Sequence, residues 1–462
     1  MRVRSRWVGA LWLGLGLTLA WSLAGCDAAS SSGAAFGGAP GFAGASGTAG
    51  TATVRVTVSG AAPRDVARTF FGQNYWSWVK EWGDPVALTQ EQVAAVGLGL
   101  LRAGGANNDN QTPEPFSDAE VLEFLAYATE IGAEPLLQVP VLKNPSGTEA
   151  TAEDAAALVN YVNGELGAEV RRYSIGNEPD LYTTQGHADA TFDAVAACAK
   201  FRSFAEAMKG ADPSIEIWGP DLSHKYTRGN DWLTPFLNAC GDAVDVIAVH
   251  RYPFAPAACT ESSAYSDLTA FRQTIRDLRA IQSATGVADK PLAITEANIT
   301  YDGAPENSTL PASPGTFPAA LWLADNLGVG LEEGLANISY WSLSEGWTLG
   351  FFDGATPRPA FHVLALYAQR FGSQALQVTG VTAPQAVSVY AGRTPGVSTN
   401  VFVVNKTNAT FELNLNLVGL PLNRAPALSV PAESLTLFEL RDNGNAPRRI
   451  IYTRSMSEPA EG

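Results

Sequence analysis

From about Phe70 onward, short apolar runs alternate with longer stretches of helical periodicity. The apolar runs are Phe70 to Trp76, Leu98 to Gly104, Glu134 to Val139, Arg172 to Gly176, Ile215 to Gly219, Val244 to His250, Leu292 to Thr295 and Ala336 to Trp341. Most are continuous rather than alternating, the pattern of parallel strands covered on both faces. Between them, Ser117 opens a helix running to Gly132, with Glu120 placed to complete a capping box. Thr151 opens another, whose first turn holds Glu153 and Asp154, where negative charge suits the helix dipole. Further helices fall at about Phe192 to Gly210, Tyr265 to Ala284, Pro318 to Leu331 and Pro359 to Phe371. Eight strands, mostly followed by a helix, predict an α/β fold, a (β/α)8 TIM barrel over 66–372.

After Gly372 the helical period stops and alternation begins. In Thr410-Phe411-Glu412-Leu413-Asn414-Leu415 every second residue is apolar, and similar runs occur at Val387 to Tyr390, Val401 to Val404 and Leu435 to Leu440. These predict a small C-terminal antiparallel β-sandwich over 373–441, joined by an N-terminal strand within 52–65. The polar tail, 442–462, is expected to be disordered.

The N-terminus reads differently again. Arg2, Arg4 and Arg6 precede an apolar stretch that ends at Leu23-Ala24-Gly25-Cys26. That is the pattern of a signal peptide over 1–25, and it resembles a bacterial lipobox in which Cys26 becomes the lipidated first residue. An uncleaved anchor and a signal cut elsewhere are the alternatives. The Ala/Gly/Ser-rich segment 26–51 reads as a flexible tether. The expected protein is an exported, cell-envelope lipoprotein that meets the membrane through its lipid anchor only.

The formal net charge is −16, and loss of the three leader arginines takes it to −19. No basic stripe offers a nucleic-acid surface. Beyond Cys26 the cysteines are Cys198, Cys240 and Cys259. Export makes one disulfide plausible; Cys240–Cys259 is the expected pair, because the two bracket a single strand and its loop, against the alternative of three free thiols. Their spacing fits no zinc pattern, nor does that of any two histidines.

Barrel enzymes place their chemistry at the C-terminal ends of the strands. The fourth strand ends Ile175-Gly176-Asn177-Glu178-Pro179-Asp180, and the seventh ends Ile294-Thr295-Glu296-Ala297-Asn298. Each delivers one carboxylate to the mouth, and the two strands stand nearly opposite. Glycoside hydrolysis needs two carboxyl groups flanking an anomeric carbon. The chemistry needs no cofactor.

Asn177-Glu178-Pro179 after a fourth strand and Glu296 after a seventh resemble the clan of retaining glycosidases on (β/α)8 barrels. Within it, residues 175–182 most resemble glycoside hydrolase family 79, the β-glucuronidase and heparanase-like enzymes, with families 39, 51 and 30 close. The resemblance implies Glu178 as acid/base and Glu296 as nucleophile on a β-linked oligo- or polysaccharide. It implies Asn177 on the sugar 2-hydroxyl, Tyr252 donating to Glu296, Arg102 near the same carboxylate and Trp341 as the floor under the sugar ring.

Each residue also has a plainer reading. Glu178 or Glu296 alone could cap a helix or pair with an arginine. Asp180 reads as a loop or helix-start residue, Asp221 as solvated loop and Glu345 as an aromatic-loop residue. His250 is as readily a buried structural histidine as a site residue; His187 and His224 are loop candidates. Trp76, Trp78, Trp82, Trp347 and Phe351 are either sugar platforms or loop packing. For a sugar carboxylate, Arg251, Lys225 and Arg228 are candidate donors. A catalytically silent carbohydrate-binding lipoprotein and an adhesion lipoprotein working through its sandwich are the rival readings.

Overall fold

The computed structural model describes residues 52–75, 86–112, 116–224, 226–227, 230–344, 348–422 and 427–462. Cys26 with its leader and tether, Trp76, Trp78, Trp82, Lys225, Arg228, Glu345 and Trp347 lie outside the described residues.

Strand β1 (Thr53–Asp65) precedes the barrel. Strands β2 (Phe71–Tyr75), β3 (Leu100–Ala103), β4 (Glu134–Val139), β5 (Arg172–Ile175), β6 (Glu216–Leu222), β7 (Val246–Arg251), β8 (Leu292–Ala297) and β9 (Asn337–Tyr340) follow. All eight close into one parallel barrel, with β9 returning to pair with β2. Helices Asp118–Ile131, Ala152–Val159, Ala194–Ala211, Leu233–Cys240, Glu261–Ala284, Phe317–Glu333 and Pro359–Arg370 occur in the connections or follow the last strand. The Ser117 N–H donates to Glu120 Oε2 at 2.7 Å, closing the capping box that starts the first of these. Leu233–Cys240 was not legible as a helix: it is too short to show a clear period.

Apolar side chains from outward strand positions and the facing helices form one continuous core. Inside the barrel, Leu100, Leu136, Trp218, Val246, Ala248 and Ala293 make a smaller plug. Two residues further along their strands, Arg102 and His250 replace apolar side chains by polar ones. The plug is therefore the floor of a polar site.

The second sheet contains β1 and β10 (Gln374–Thr379), β11 (Val387–Thr394), β12 (Ser398–Asn405), β13 (Phe411–Val418), β14 (Leu428–Val430), β15 (Ser434–Arg441), β16 (Arg448–Thr453) and β17 (Ala460–Glu461). Its order is β14-β13-β1-β10-β11-β12-β15-β16-β17. It departs from the expected sandwich in two ways. The β1–β13 pairing is parallel, whereas the other pairs are antiparallel. The tail is also ordered here: Arg448–Thr453 pairs with β15, and its Tyr452 packs against Phe317 and His362.

The expected Cys240–Cys259 disulfide is absent. Cys198 and Cys240 are bonded, joining helices Ala194–Ala211 and Leu233–Cys240 with Cα atoms 5.7 Å apart, and Cys259 is a buried free thiol. The reason is geometric. Cys240 and Cys259 lie before and after β7, and a six-residue strand separates its ends by about 20 Å, beyond the reach of a disulfide.

Candidate active site

Gly176 lets the chain turn off β5. Its φ of +73° suits glycine, and a Cβ there would come within 3.0 Å of Val141 and the Tyr182 hydroxyl. Asn177 and Glu178 follow immediately. Glu178 has φ +50°, a left-handed conformation that costs a non-glycine residue about 1–3 kcal/mol. Its N–H donates to the Asp221 carbonyl at 3.0 Å.

Glu296 reaches the same place by another device. Along β8 the register against β7 shifts between Ile294 and Glu296. Such shifts re-aim side chains next to active sites. The nearly buried Glu296 receives Arg102 Nη1 on Oε1 and the Tyr252 hydroxyl on Oε2, both at 2.8 Å.

Between the two carboxylates stands His250, fully buried. Its Nδ1 lies 3.0 Å from Glu178 Oε1 and 3.5 Å from Glu296 Oε2. One oxygen of each glutamate and one ring nitrogen lie within 4.8 Å of one another. These three could ligate a cation by type and distance; two carboxylates facing one cleft are equally the equipment of glycoside hydrolysis. Burial pushes the Glu178 carboxyl above the usual range; the His250 hydrogen bond and charge oppose this, and the nearby Glu296 and Asp180 add to it.

Arg102 is the hub. With no exposed surface, it donates through Nη1 to Asn74 Oδ1 (3.0 Å) and Glu296, and through Nη2 to Asn177 Oδ1 (3.0 Å) and Asp221 Oδ2 (3.3 Å). Burial disfavours the cation, but Asp221 and Glu296 outweigh it and raise its titration further. Asn177 is held twice, by Arg102 on Oδ1 and by its own N–H to Asp109 Oδ2 at 3.2 Å, and its Nδ2 donates to none of the described residues. Trp341 stands over Gly105: a Cβ there would meet the indole at 2.7 Å, and the φ of +111° suits glycine.

Asp221 is fully buried rather than solvated. Asp180 takes the Ser223 N–H and hydroxyl at 3.0 and 2.8 Å and so clamps the 221–224 loop. Arg251 is turned away from the mouth. Its Nη2 binds both oxygens of Asp267 at 2.8 Å, and its guanidinium lies 4.3 Å over the Phe271 ring. It is therefore not placed to bind a sugar carboxylate. Phe351 is buried and stacked on Tyr340, which makes it packing. His187 is exposed against the edge of Tyr182, and His224 is more than half exposed beside Ser223.

Several residues of the site were not singled out from sequence. Asn74, whose Nδ2 donates to the Thr295 and Tyr340 carbonyls, links β2 to β8 and β9. Asp109 accepts from the Val141 N–H (2.7 Å), the Asn177 N–H and the Tyr182 hydroxyl. Gln138 Oε1 accepts from the Gly105 N–H at 2.5 Å. A polar residue inside an apolar strand was the available signal for Asn74 and Gln138. Asp109 lies in the polar run 107–110, which reads as loop.

Residues 129–312 match a family model described as glycosyl hydrolase catalytic core. No curated protein matches the chain in sequence. Among solved structures, the bifunctional glucanase-xylanase CelM2 from a metagenome library is similar with a TM-score of 0.66 at 16% identity, over 84% of this chain and 99% of that one. A family 44 xyloglucanase from Paenibacillus polymyxa gives 0.64 at 14%, over 89% and 94%. A family 51 arabinofuranosidase from Xanthomonas axonopodis pv. citri gives 0.63 at 17%, over 88% and 97%. At such identities the structural likeness is one of fold. The matched segment holds both Glu178 and Glu296, and with the barrel it marks this chain as a glycosidase.

Proposed function

We propose that the glycosidase is a retaining enzyme acting on β-linked glycans, with Glu178 as acid/base and Glu296 as nucleophile. The spacing carries the reading: an oxygen of one carboxylate lies within 4.8 Å of an oxygen of the other. Retaining enzymes hold their carboxyl groups about 5–5.5 Å apart, while inverting ones leave about 6.5–9.5 Å for a water molecule.

Glu178, kept protonated by burial, gives its proton to the glycosidic oxygen as the bond to the anomeric carbon breaks. Glu296, its two oxygens fixed by Arg102 and Tyr252, closes on that carbon to form a glycosyl ester. Glu178, now a carboxylate, takes a proton from water, which attacks and releases Glu296. Asn177 Nδ2 serves the 2-hydroxyl, and Trp341 the apolar face of the ring.

We propose a neutral sugar in the cleavage site. Arg102 is buried and held through Nη1 and Nη2, and Arg251 points away from the mouth with Nη2 on Asp267. The similar structures are titled glucanase-xylanase, xyloglucanase and arabinofuranosidase, so glucosides, xylosides and α-L-arabinofuranosides belong in the substrate panel. The β-linkage rests on the clan resemblance. Export and anchoring through Cys26 rest on Leu23-Ala24-Gly25-Cys26. A Cys26→Ser chain should leave the membrane fraction, and unchanged fractionation would remove the anchor from the account.

The test is turnover of an aryl glycoside panel by the full-length protein, Glu178→Gln and Glu296→Gln. Glu296→Gln should lose all turnover. Glu178→Gln should lose about 10²–10⁴-fold on substrates with poor leaving groups and far less on activated ones. A wild-type protein that binds oligosaccharides and cleaves none of the panel would instead be a carbohydrate-binding lipoprotein.

A further inference from the structure

A second recess lies on the flank of the barrel, where helix Glu261–Ala284 faces the second sheet. It is a cleft of about 680 Å3, a volume typical of small-molecule sites. Strand β10 and the turn after it form one wall, where the half-buried Val378 and Val381 present apolar surface. Leu268, Arg272 and Arg276 of the helix form the other. Strand β1 adds Arg64, which stands just beyond a shift of register against β10. Barrel helices run antiparallel to their strands, so Arg279 and Gly334, near helix C-termini, lie toward the end of the barrel opposite the mouth.

The charge here runs against the rest of a chain that is formally −16. Arg272, Arg276 and Arg279 follow one another at helical spacing, on one face of the helix. Arg272 is compensated, by Glu332 at 2.6 Å and Glu333 at 2.8 Å. Arg64 and Arg276 are exposed and make no ion pair among the described residues. Arg279 donates to Gln282 Oε1 at 3.3 Å and to the Gly334 carbonyl at 3.2 Å, neither of them an acid. Arg64 lies against the same Gly334, since a Cβ there would collide with its Nη1. Two guanidinium groups gathered at one residue repel each other unless an anion joins them. Burial first, and then Arg64, push the Arg279 titration down, while Glu333 opposes them.

We propose that this cleft is a second glycan-binding site, separate from the cleavage site, for an oligosaccharide that bears carboxylates. Arg64, Arg276 and Arg279 take the acid groups, and Val378 and Val381 take the apolar faces of the rings. A guanidinium matches a carboxylate with paired hydrogen bonds, and the bound anion supplies the charge that these arginines lack. A lipid headgroup offers an anion too, but the arginines line a recess walled by helix and sheet, which a flat bilayer would not enter. The cleft takes no part in the cleavage steps, so the inference goes beyond them. Together the two sites suit a polymer with a neutral main chain and uronate branches.

The test is calorimetric titration of the full-length protein with tetragalacturonate, beside xylotetraose as the neutral counterpart. Tetragalacturonate should bind saturably, and more weakly as salt is raised from about 0.05 to about 0.5 M. In the double variant Arg64→Gln, Arg276→Gln its affinity should fall by about tenfold or more. Both side chains are exposed, so the variant should keep the wild-type unfolding midpoint, aryl-glycoside turnover and response to xylotetraose. A wild-type protein that does not bind tetragalacturonate, or a variant that binds it equally well, would overturn the proposal. So would inorganic phosphate binding as tightly as tetragalacturonate. If the Cys26→Ser chain binds phosphatidylglycerol vesicles through these arginines and no tetragalacturonate, the cleft is a membrane contact instead. These readouts are of binding, so they decide the cleft even if wild type cleaves no glycoside and the glycosidase reading fails.

Discussion

Arg102 shows how much of this site depends on single side chains. It sits where a barrel-lining position would ordinarily be apolar, and four acceptors compensate the desolvation of its charge. Removing one acceptor would leave a buried donor unmet, at a cost of about 1–3 kcal/mol. Glu178 is the complementary case, a carboxyl that burial keeps protonated above its usual range. In the proposed mechanism Glu178 acts in its protonated form, so activity should fall as pH rises through its folded titration point. The alkaline limb of kcat/KM for a substrate with a poor leaving group should therefore lie above the ordinary glutamate value of about 4.3. A limb at that ordinary value would contradict the assignment of the acid. Glu178 and Glu296 were legible as carboxylates that end apolar strands, whereas Arg102, Asn177 and Tyr252 entered through the family resemblance and His250 stood level with a structural reading. Asp221 was not legible: one residue past Gly-Pro it looks like solvated loop, and only the tertiary structure shows that it is enclosed.

Among elements, the register shifts in β6 and β8 do most to shape the mouth, and sequence carries no reliable sign of either. The short helix Ala106–Asn110 is similar. It presents Asp109, whose carboxyl burial pushes up to about 6 although the Tyr182 hydroxyl and backbone N–H groups pull it down. The folded value exceeds the unfolded 3.8, so this group's stabilising contribution is complete below pH 3.8 and lost as pH rises through about 6. It amounts to about 3 kcal/mol at most. Asp109→Asn keeps one acceptor and loses the other, so it should destabilise the fold and loosen Asn177. Its deficit against wild type in denaturant unfolding should shrink from pH 4 to pH 7. A deficit that grows over that range would contradict the picture. Strand count was readable because barrel strands are short, apolar and regularly spaced. The helix Leu233–Cys240 was too short for a period, and missing it led to the wrong disulfide partner.

At the scale of the molecule, the second sheet is fastened to the barrel by charge as well as by packing. Asp325, on the buried helix Phe317–Glu333, accepts from Lys406 Nζ at 2.6 Å, the Tyr390 hydroxyl at 3.0 Å and the Ser388 hydroxyl. Burial lowers the Lys406 titration, and Asp325 opposes that shift. A tail that reads as polar therefore still finds an edge to pair with, since β15 offers unpaired backbone and Tyr452 an apolar anchor. The change from continuous to alternating apolar runs at Gly372 was enough to separate barrel from sheet, but alternation cannot say which strands pair or in which direction. The carboxylate spacing and the hydrogen bonds on Glu296 support the proposed double-displacement mechanism through that residue. The most direct test is to treat the protein with an activated 2-fluoro glycoside of the sugar it cleaves and to map any adduct by peptide mass. The account predicts a glycosyl ester on Glu296 and, for the natural reaction, a first product with the anomeric configuration of the substrate. An inverted first product, with no adduct formed, would contradict it.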